Sequence, residues 1–213
     1  MTRAARAVAA AGAVIGAFGL ALEFITLYQG MSHEGAAPLA VVWRYFAYFT
    51  ILTNALVTLV MARAAFAPER RNGLNAPRVE LMAVTSILFV CIVYNLLLAS
   101  RWDPQGWQKV ADLTVHQAVP VLFALFWWLR PHGLLIWRDA LFSAFWPAAY
   151  AGYGLSRGAV DGYYPYFFMD PSQAPWPSVL LNMTGLVVAF VLGALALIGA
   201  SRALKRADLL NRA

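Results

Sequence analysis

The sequence predicts an all-α integral membrane protein, a bundle of six transmembrane helices with both termini in the cytoplasm. Two properties of the composition indicate this class, because 62% of the 213 residues are hydrophobic and only 12% are charged. A soluble domain usually has about twice that charged fraction. The third observation is that the apolar residues gather in six segments, each close to the roughly 20 residues that a helix needs to cross a bilayer.

The six predicted spans form a single domain over residues 1–213. They run approximately over residues 7–29, 43–66, 79–100, 112–129, 134–153 and 177–200. The first span follows two arginines, as a signal peptide would, but its apolar run is too long and no small-residue cleavage site follows it. We therefore expect a retained helix. The one cysteine, Cys91, lies in the third span, which excludes an intrachain disulfide.

The basic residues predict the orientation of the helices. With the N-terminus in the cytoplasm, twelve of the 16 Lys and Arg residues lie at cytoplasmic helix ends, and only Arg44, Arg101, Lys109 and Arg157 lie outside. This distribution follows the positive-inside rule. The net charge of +6 therefore reports membrane topology, and we expect membrane lipids rather than nucleic acid as partners.

The connection at residues 155–176 is the longest, and it is rich in aromatic residues. Tyr and Trp side chains gather where a membrane meets water, so an interfacial belt explains this composition. The alternative is a lid over a lipid-facing site.

Polar side chains within the predicted spans fall at a common depth. Counting about 1.5 Å per residue from the outer end of its helix places Thr50 roughly 10 Å below the outer boundary. The same count gives a similar depth for side chains on four other spans: Glu23, Asn95, His116 and Asn182. Ionisable residues in a membrane usually face a bundle interior or a water-filled cavity. We therefore expect one polar pocket that opens towards the outer leaflet.

Each of these polar residues also has a structural explanation. A threonine in a membrane helix often donates to the carbonyl four residues back, which for Thr50 is that of Phe46. Polar side chains also hold neighbouring membrane helices together. Three asparagines therefore stay open between helix bridging and a role in binding the oxyanion or the substrate: Asn54, Asn95 and Asn182. Glu23 stays open between that binding role and a structural one, as a protonated and paired carboxyl or as a side chain near the lipid headgroups.

His116 lies in the stretch DLTVHQAVPVLF. Pro120 has no N–H, so the carbonyl of His116 loses its usual helical donor and the helix is expected to bend nearby. Asp112 stands four residues earlier, on the same helix face. Its carboxylate either orients the imidazole or caps the N-terminus of this helix, and the sequence leaves both roles open.

A hydroxyl and an imidazole at one depth predict nucleophilic catalysis. The imidazole of His116 can take the proton of Thr50 as the hydroxyl oxygen attacks an acyl carbon, and then return it to the leaving group. The sequence contains no Gly-rich phosphate loop, GxSxG, HExxH or Cys/His cluster. We therefore expect neither a metal nor an organic cofactor.

Four stretches resemble a known family. In chain order they are WRYFAYFTILTNALV, CIVYNLLL, HQAVP and YYPYFFMDP. Together they resemble a bacterial branch of the family that includes the androgen-induced and androgen-dependent TFPI-regulating proteins. Its animal members are multi-span threonine hydrolases of fatty acid esters of hydroxy fatty acids, and they pair an intramembrane Thr with an intramembrane His. The family motifs match YFT to Thr50 rather than Thr53, and match the histidine before a proline to His116.

This resemblance implies a hydrolase of a lipid or fatty-acyl ester in a bacterial cytoplasmic membrane. The spacing in HQAVP is one residue shorter than in the animal proteins. The alternative is a non-catalytic lipid-binding or transport protein with a polar pocket in the outer half of the membrane. A transport path would need polar residues in the inner half of the membrane as well, and the sequence mostly lacks them there.

Overall fold

The computed structural model describes residues 1–131 and 133–210, and the regular secondary structure in this part of the chain is all helical, without a β-strand. Short 3-10 and π-helical turns accompany the α-helices. The α-helices are α1 (Arg3–His33), α2 (Pro38–Tyr45), α3 (Phe49–Phe66), α4 (Pro77–Val93), α5 (Gly106–Leu113), α6 (Val119–Trp128), α7 (Asp139–Ser143), α8 (Phe145–Asp161) and α9 (Trp176–Leu210).

Five helical segments of the described chain are long and apolar enough to cross a membrane, which indicates a multi-pass membrane protein. They are Arg3–His33, Phe49–Phe66, Pro77–Arg101, Gly106–Trp128 and Trp176–Lys205. The predicted fifth span, residues 134–153, is not among them, because it is divided between α7 and α8. Pro147 explains the division, since it has no N–H to donate to the carbonyl of Ser143.

The predicted second span, residues 43–66, is also not one helix. α2 ends at Tyr45 and α3 begins at Phe49, with an extended backbone at Tyr48 (φ −87°, ψ 132°). Hydropathy does not reveal this break because the intervening residues are apolar. Its consequence is that Thr50 is the second residue of α3, where the backbone N–H groups have no acceptor within their own helix.

The chain divides into two compact units, which are described separately. The first comprises Met1–Ala76 and Ile87–Arg130. Within it, α1 packs along α3 and against α5 and α6. Glycines of α1 permit this close packing, because a Cβ at Gly16 would clash with the hydroxyl of Thr58 and one at Gly19 with the methyl of Thr114. Small residues commonly allow membrane helices to approach in this way.

The second unit comprises Pro77–Ser86 and Pro131–Ala213. Its aromatic connection is anchored by Met169, which is fully buried against Val179 and Met183 of α9. Next to this anchor the Ser172 hydroxyl donates to the Asp170 carboxylate, which lowers the pKa of Asp170. The connection is therefore packed within its own unit.

Two π-helical turns interrupt the helices of the first unit, Tyr94–Leu98 after α4 and Thr114–Ala118 between α5 and α6. The second has a visible cause. The N–H of Val119 donates to the carbonyl of Thr114, five residues back. The next carbonyl, that of Val115, would receive its i+5 hydrogen bond from Pro120, which has no N–H. The π turn therefore leaves Val115 in need of a donor from another element.

Asn54 of α3 supplies this donor. Its side-chain amide nitrogen lies 3.1 Å from the carbonyl oxygen of Val115 and 2.9 Å from that of Thr50. The side chain is fully buried. Whereas the sequence predicts a freed carbonyl at His116, the one that accepts from Asn54 is that of Val115, because the helix has shifted to i+5 bonding. Asn54 thus ties the first turn of α3 to the π turn that carries His116.

We expect Gly16→Leu to destabilise the first unit by about 1–3 kcal/mol, because overpacking forces the tightly packed helices apart. The matched control is Gly30→Leu, on the same helix, where a Cβ meets no atom within 4 Å. Unfolding in mixed detergent measures both. Equal unfolding midpoints for the two variants would contradict the packing role of Gly16.

We expect Asn54→Leu to cost about 1–3 kcal/mol, because it leaves a buried carbonyl without its donor. The same substitution removes Asn54 Oδ1, which is buried without a hydrogen-bond partner in the described chain, and this gain offsets part of the cost. The loss of the donor has the larger effect on the free energy of unfolding. Asn182→Leu is the control, since that exposed amide makes one bond, to the Phe168 carbonyl at 3.0 Å. The bridging role is wrong if both substitutions lower the unfolding midpoint equally.

Candidate active site

Thr50 and His116 meet in the first unit. The hydroxyl oxygen Oγ1 of Thr50 lies 3.4 Å from Nε2 of His116. The break before α3 places the threonine in the first turn of that helix, and the π turn Thr114–Ala118 carries the histidine. The distance exceeds that of a fully formed hydrogen bond, but nucleophile and base are often this far apart before substrate binds.

The other ring nitrogen of His116 faces Asp112. Nδ1 lies 3.1 Å from the carboxylate oxygen Oδ1 and 3.0 Å from the backbone oxygen of the same aspartate. Two acceptors at Nδ1 favour the tautomer with the proton there, which leaves the lone pair of Nε2 directed at Thr50.

Asp112 does not cap a helix. α5 begins at Gly106 with Gln105 as its N-cap, so Asp112 is the seventh residue of that helix. It is buried, as is Tyr94 beside it. Of the two roles left open by the sequence, the geometry therefore favours orientation of the imidazole.

Tyr94 is a site residue that the sequence analysis missed. Its hydroxyl donates to Oδ2 of Asp112 at 2.7 Å. Its ring stacks on the imidazole of His116, with centroids 3.7 Å apart and planes inclined by 13°. A tyrosine in an apolar span is usually part of the core, so its residue type alone does not indicate a functional role. The sequence does contain one signal for Tyr94, its polar hydroxyl. Tyr94 directly precedes Asn95, so it lies at nearly the same predicted depth as the polar pocket.

Asn54 lies beside the dyad, but its amide has no donor left for an oxyanion. An asparagine amide carries two hydrogens, and here two backbone carbonyls, those of Thr50 and Val115, accept from it. The geometry therefore favours the helix-bridging explanation for Asn54.

Asn95 belongs to a separate polar group formed with Cys91 and Gln117. Its amide nitrogen donates to the carbonyl of Cys91 at 2.7 Å, and its oxygen accepts from Gln117 Nε2 at 2.9 Å. The thiol of Cys91 lies 3.5 Å from Oε1 of Gln117. Asn95 is exposed. This group is adjacent in sequence to Tyr94 and His116, but its amides bond one another rather than the dyad.

The two remaining candidates have different surroundings. Glu23 of α1 is half-buried and interacts electrostatically with the carboxylate of Asp112 and the phenol of Tyr45. The first unit therefore brings a second carboxyl near the dyad. Asn182 lies in the second unit, where it is exposed and donates to the carbonyl of Phe168.

The arrangement of Thr50, His116 and Asp112 is a hydroxyl, an imidazole and a carboxylate in series. This order of groups performs nucleophilic acyl transfer on several unrelated folds. Within the described residues, no group of three or more His, Cys, Asp and Glu side chains is placed to hold a metal ion.

Comparisons with known proteins add no assignment to this geometry. No protein-family model matches the chain, and no curated protein or solved structure is significantly similar to it. The arrangement of the side chains is therefore the basis for a functional proposal.

Proposed function

We propose that this protein is an intramembrane hydrolase that cleaves an ester bond in a lipid or fatty-acyl amphiphile. Thr50 is the nucleophile and His116 the general base. The observation that carries this proposal is the 3.4 Å approach of Thr50 Oγ1 to His116 Nε2. The carboxylate of Asp112 on the opposite ring nitrogen supports it, because it favours the tautomer that accepts a proton at Nε2.

The reaction proceeds in two half-reactions. Nε2 of His116 takes the proton of Thr50 while Oγ1 attacks the acyl carbon, and the resulting imidazolium faces the Asp112 carboxylate. Collapse of the tetrahedral intermediate breaks the ester bond, and the imidazolium gives its proton to the departing alcohol. Water then attacks the acyl-threonine with His116 again as base, which releases the fatty acid and restores the hydroxyl.

The first turn of α3 stabilises the oxyanion in this proposal. In this turn the N–H of Leu52 donates to the carbonyl of Tyr48 at 3.3 Å. Ile51 follows the nucleophile as the third residue of α3, so its N–H has no acceptor within that helix. A backbone donor beside the nucleophile, at the positive end of a helix, suits a developing negative charge.

An amphiphilic substrate follows from the surroundings of the dyad. Thr50 and His116 belong to candidate membrane spans, Phe49–Phe66 and Gly106–Trp128. A water-soluble ester would lose favourable hydration on entering such a site, whereas the acyl chain of a lipid is already in hydrocarbon. A lipid or fatty-acyl ester that enters sideways from the membrane therefore fits best.

The proposal includes a six-span topology in a bacterial cytoplasmic membrane, with both termini in the cytoplasm and the site in the outer half. The fifth crossing in chain order is α7 followed by α8, covering Asp139–Asp161 with a break at Ala144. The asymmetry of the basic residues supports this orientation.

We expect Thr50→Ala and His116→Ala each to lower kcat/KM by roughly 10³-fold or more, as loss of a nucleophile or its base does in comparable sites. Thr85→Ala is the control, because the Thr85 hydroxyl bonds the Leu81 carbonyl of its own helix at 2.8 Å. Purified protein is assayed with simple and branched fatty acyl esters. A covalent serine-hydrolase probe is expected to label the wild type and to spare Thr50→Ala.

Two results contradict the catalytic assignment. In the first, the Thr50 and His116 variants hydrolyse esters as fast as the wild type. In the second, the wild type binds these lipids in a flotation assay but cleaves none of them. That outcome favours the non-catalytic lipid-binding or transport alternative.

The topology is tested by labelling single cysteines in intact cells, in a Cys91→Ser background. A membrane-impermeant maleimide is expected to label Ser172→Cys outside and to miss Glu69→Cys inside. Of two reporters fused after residue 213, one active only in the cytoplasm and one active only in the periplasm, we expect only the first to be active. A C-terminal reporter found in the periplasm, together with an unlabelled Glu69→Cys, contradicts the crossing by α7 and α8.

A further inference from the structure

Tyr94 takes part in no step proposed above, yet it contacts both groups behind the nucleophile. Its hydroxyl bonds Asp112 Oδ2 at 2.7 Å, and its ring lies on the imidazole of His116 with centroids 3.7 Å apart. The tyrosine is 9% exposed. One buried side chain therefore holds the carboxylate from one side and the imidazole from another.

The hydrogen bond determines how the Asp112 carboxylate is presented. Oδ1 lies 3.1 Å from Nδ1 of His116, while Oδ2 accepts from the phenol of Tyr94. The terminal torsion of an aspartate is soft, so a carboxylate held by one oxygen alone can rotate away from the imidazole. With both oxygens engaged, its orientation is fixed.

The stack determines the plane of the imidazole. The two rings are inclined by only 13°, so the side-chain torsion of His116 cannot change much without a clash with Tyr94. In this plane Nε2 faces Thr50 Oγ1. The aromatic face also lies against the charge that His116 acquires when it takes the proton, which is a favourable cation–π geometry.

We propose that Tyr94 is a positioning residue of the hydrolase. It fixes the Asp112 carboxylate through its hydroxyl and the plane of His116 through its ring, so that Nε2 accepts the proton of Thr50. This inference rests on the proposed function, but its first test needs no substrate. Tyr94→Phe keeps the stack and removes the hydrogen bond, whereas Tyr94→Leu removes both.

The first test is NMR of protein with ¹⁵N,¹³C-labelled histidine in micelles, with the His116 signals assigned from a His116→Gln sample. We expect the wild-type signals to show an upfield ring-current shift and the tautomer with the proton on Nδ1. Tyr94→Phe should keep the ring-current shift and weaken the tautomer preference, and Tyr94→Leu should lose both. Tyr45→Phe is the control, because the buried phenol of Tyr45 bonds the Leu20 carbonyl at 2.7 Å instead.

The second test is kinetic. Loss of a hydrogen bond to a charged group should lower kcat of Tyr94→Phe about 10-fold, with a larger loss in Tyr94→Leu and KM within about twofold. Tyr45→Phe should keep the wild-type kcat. Unfolding midpoints of all variants are compared, so that a loss of kcat is read only from folded protein.

The outcomes separate this inference from the proposed function. His116 signals that are the same in both Tyr94 variants as in the wild type overturn the positioning role. The same conclusion follows if both variants keep the wild-type kcat while Thr50→Ala loses it, and hydrolysis by Thr50 then stands. If the wild type cleaves no ester, the hydrolase proposal fails, and the NMR comparison alone decides whether Tyr94 orients His116.

Discussion

Pro120 has no backbone N–H, and in hydrocarbon no water replaces the hydrogen bond that is lost. The helix contains a π turn just before this proline, in which the N–H of Val119 donates to the carbonyl of Thr114, five residues back. This leaves the carbonyl of Val115 to be satisfied from outside its own helix, and Asn54 of α3 satisfies it. The same amide bonds the carbonyl of Thr50. The requirement to satisfy one carbonyl thus sets the position of the first turn of α3 relative to His116.

Close packing of α1 supports this arrangement from a third side. Gly16 admits Thr58 of α3, and Gly19 admits Thr114, the first residue of the π turn. Larger side chains at these glycines would move α3 or the π turn away from α1. Since the dyad spans those two elements, its 3.4 Å separation depends on how closely α1 packs against both of them. Packing by small residues therefore serves the geometry of the site as well as stability.

A positive charge on His116 would be balanced by the neighbouring carboxylate of Asp112 rather than by water. In a medium of low dielectric constant an imidazolium costs far more than in water unless a carboxylate lies beside it. Asp112 lies beside it, and Tyr94 engages the oxygen that His116 does not use. In the proposed reaction, this pairing would prepare His116 for a transient positive charge before substrate binds, as preorganised electrostatic catalysis requires.

The sequence by itself determined that the protein is helical with several apolar segments able to cross a membrane, and it predicted a common depth for the polar residues, because both follow from the order of apolar and polar residues along the chain. That is why Thr50 and His116 could be paired as candidates, and why Glu23 could be placed near them. The rotation of each helix about its axis was not determined, so Asn95 and Asn182 shared the predicted depth without bonding the dyad. Only the tertiary structure decided the start of α3 at Phe49, the bridging role of Asn54 and the stack of Tyr94 on His116. These features depend on contacts between segments far apart in the chain, such as the 61 residues between Asn54 and Val115, and no local pattern encodes them.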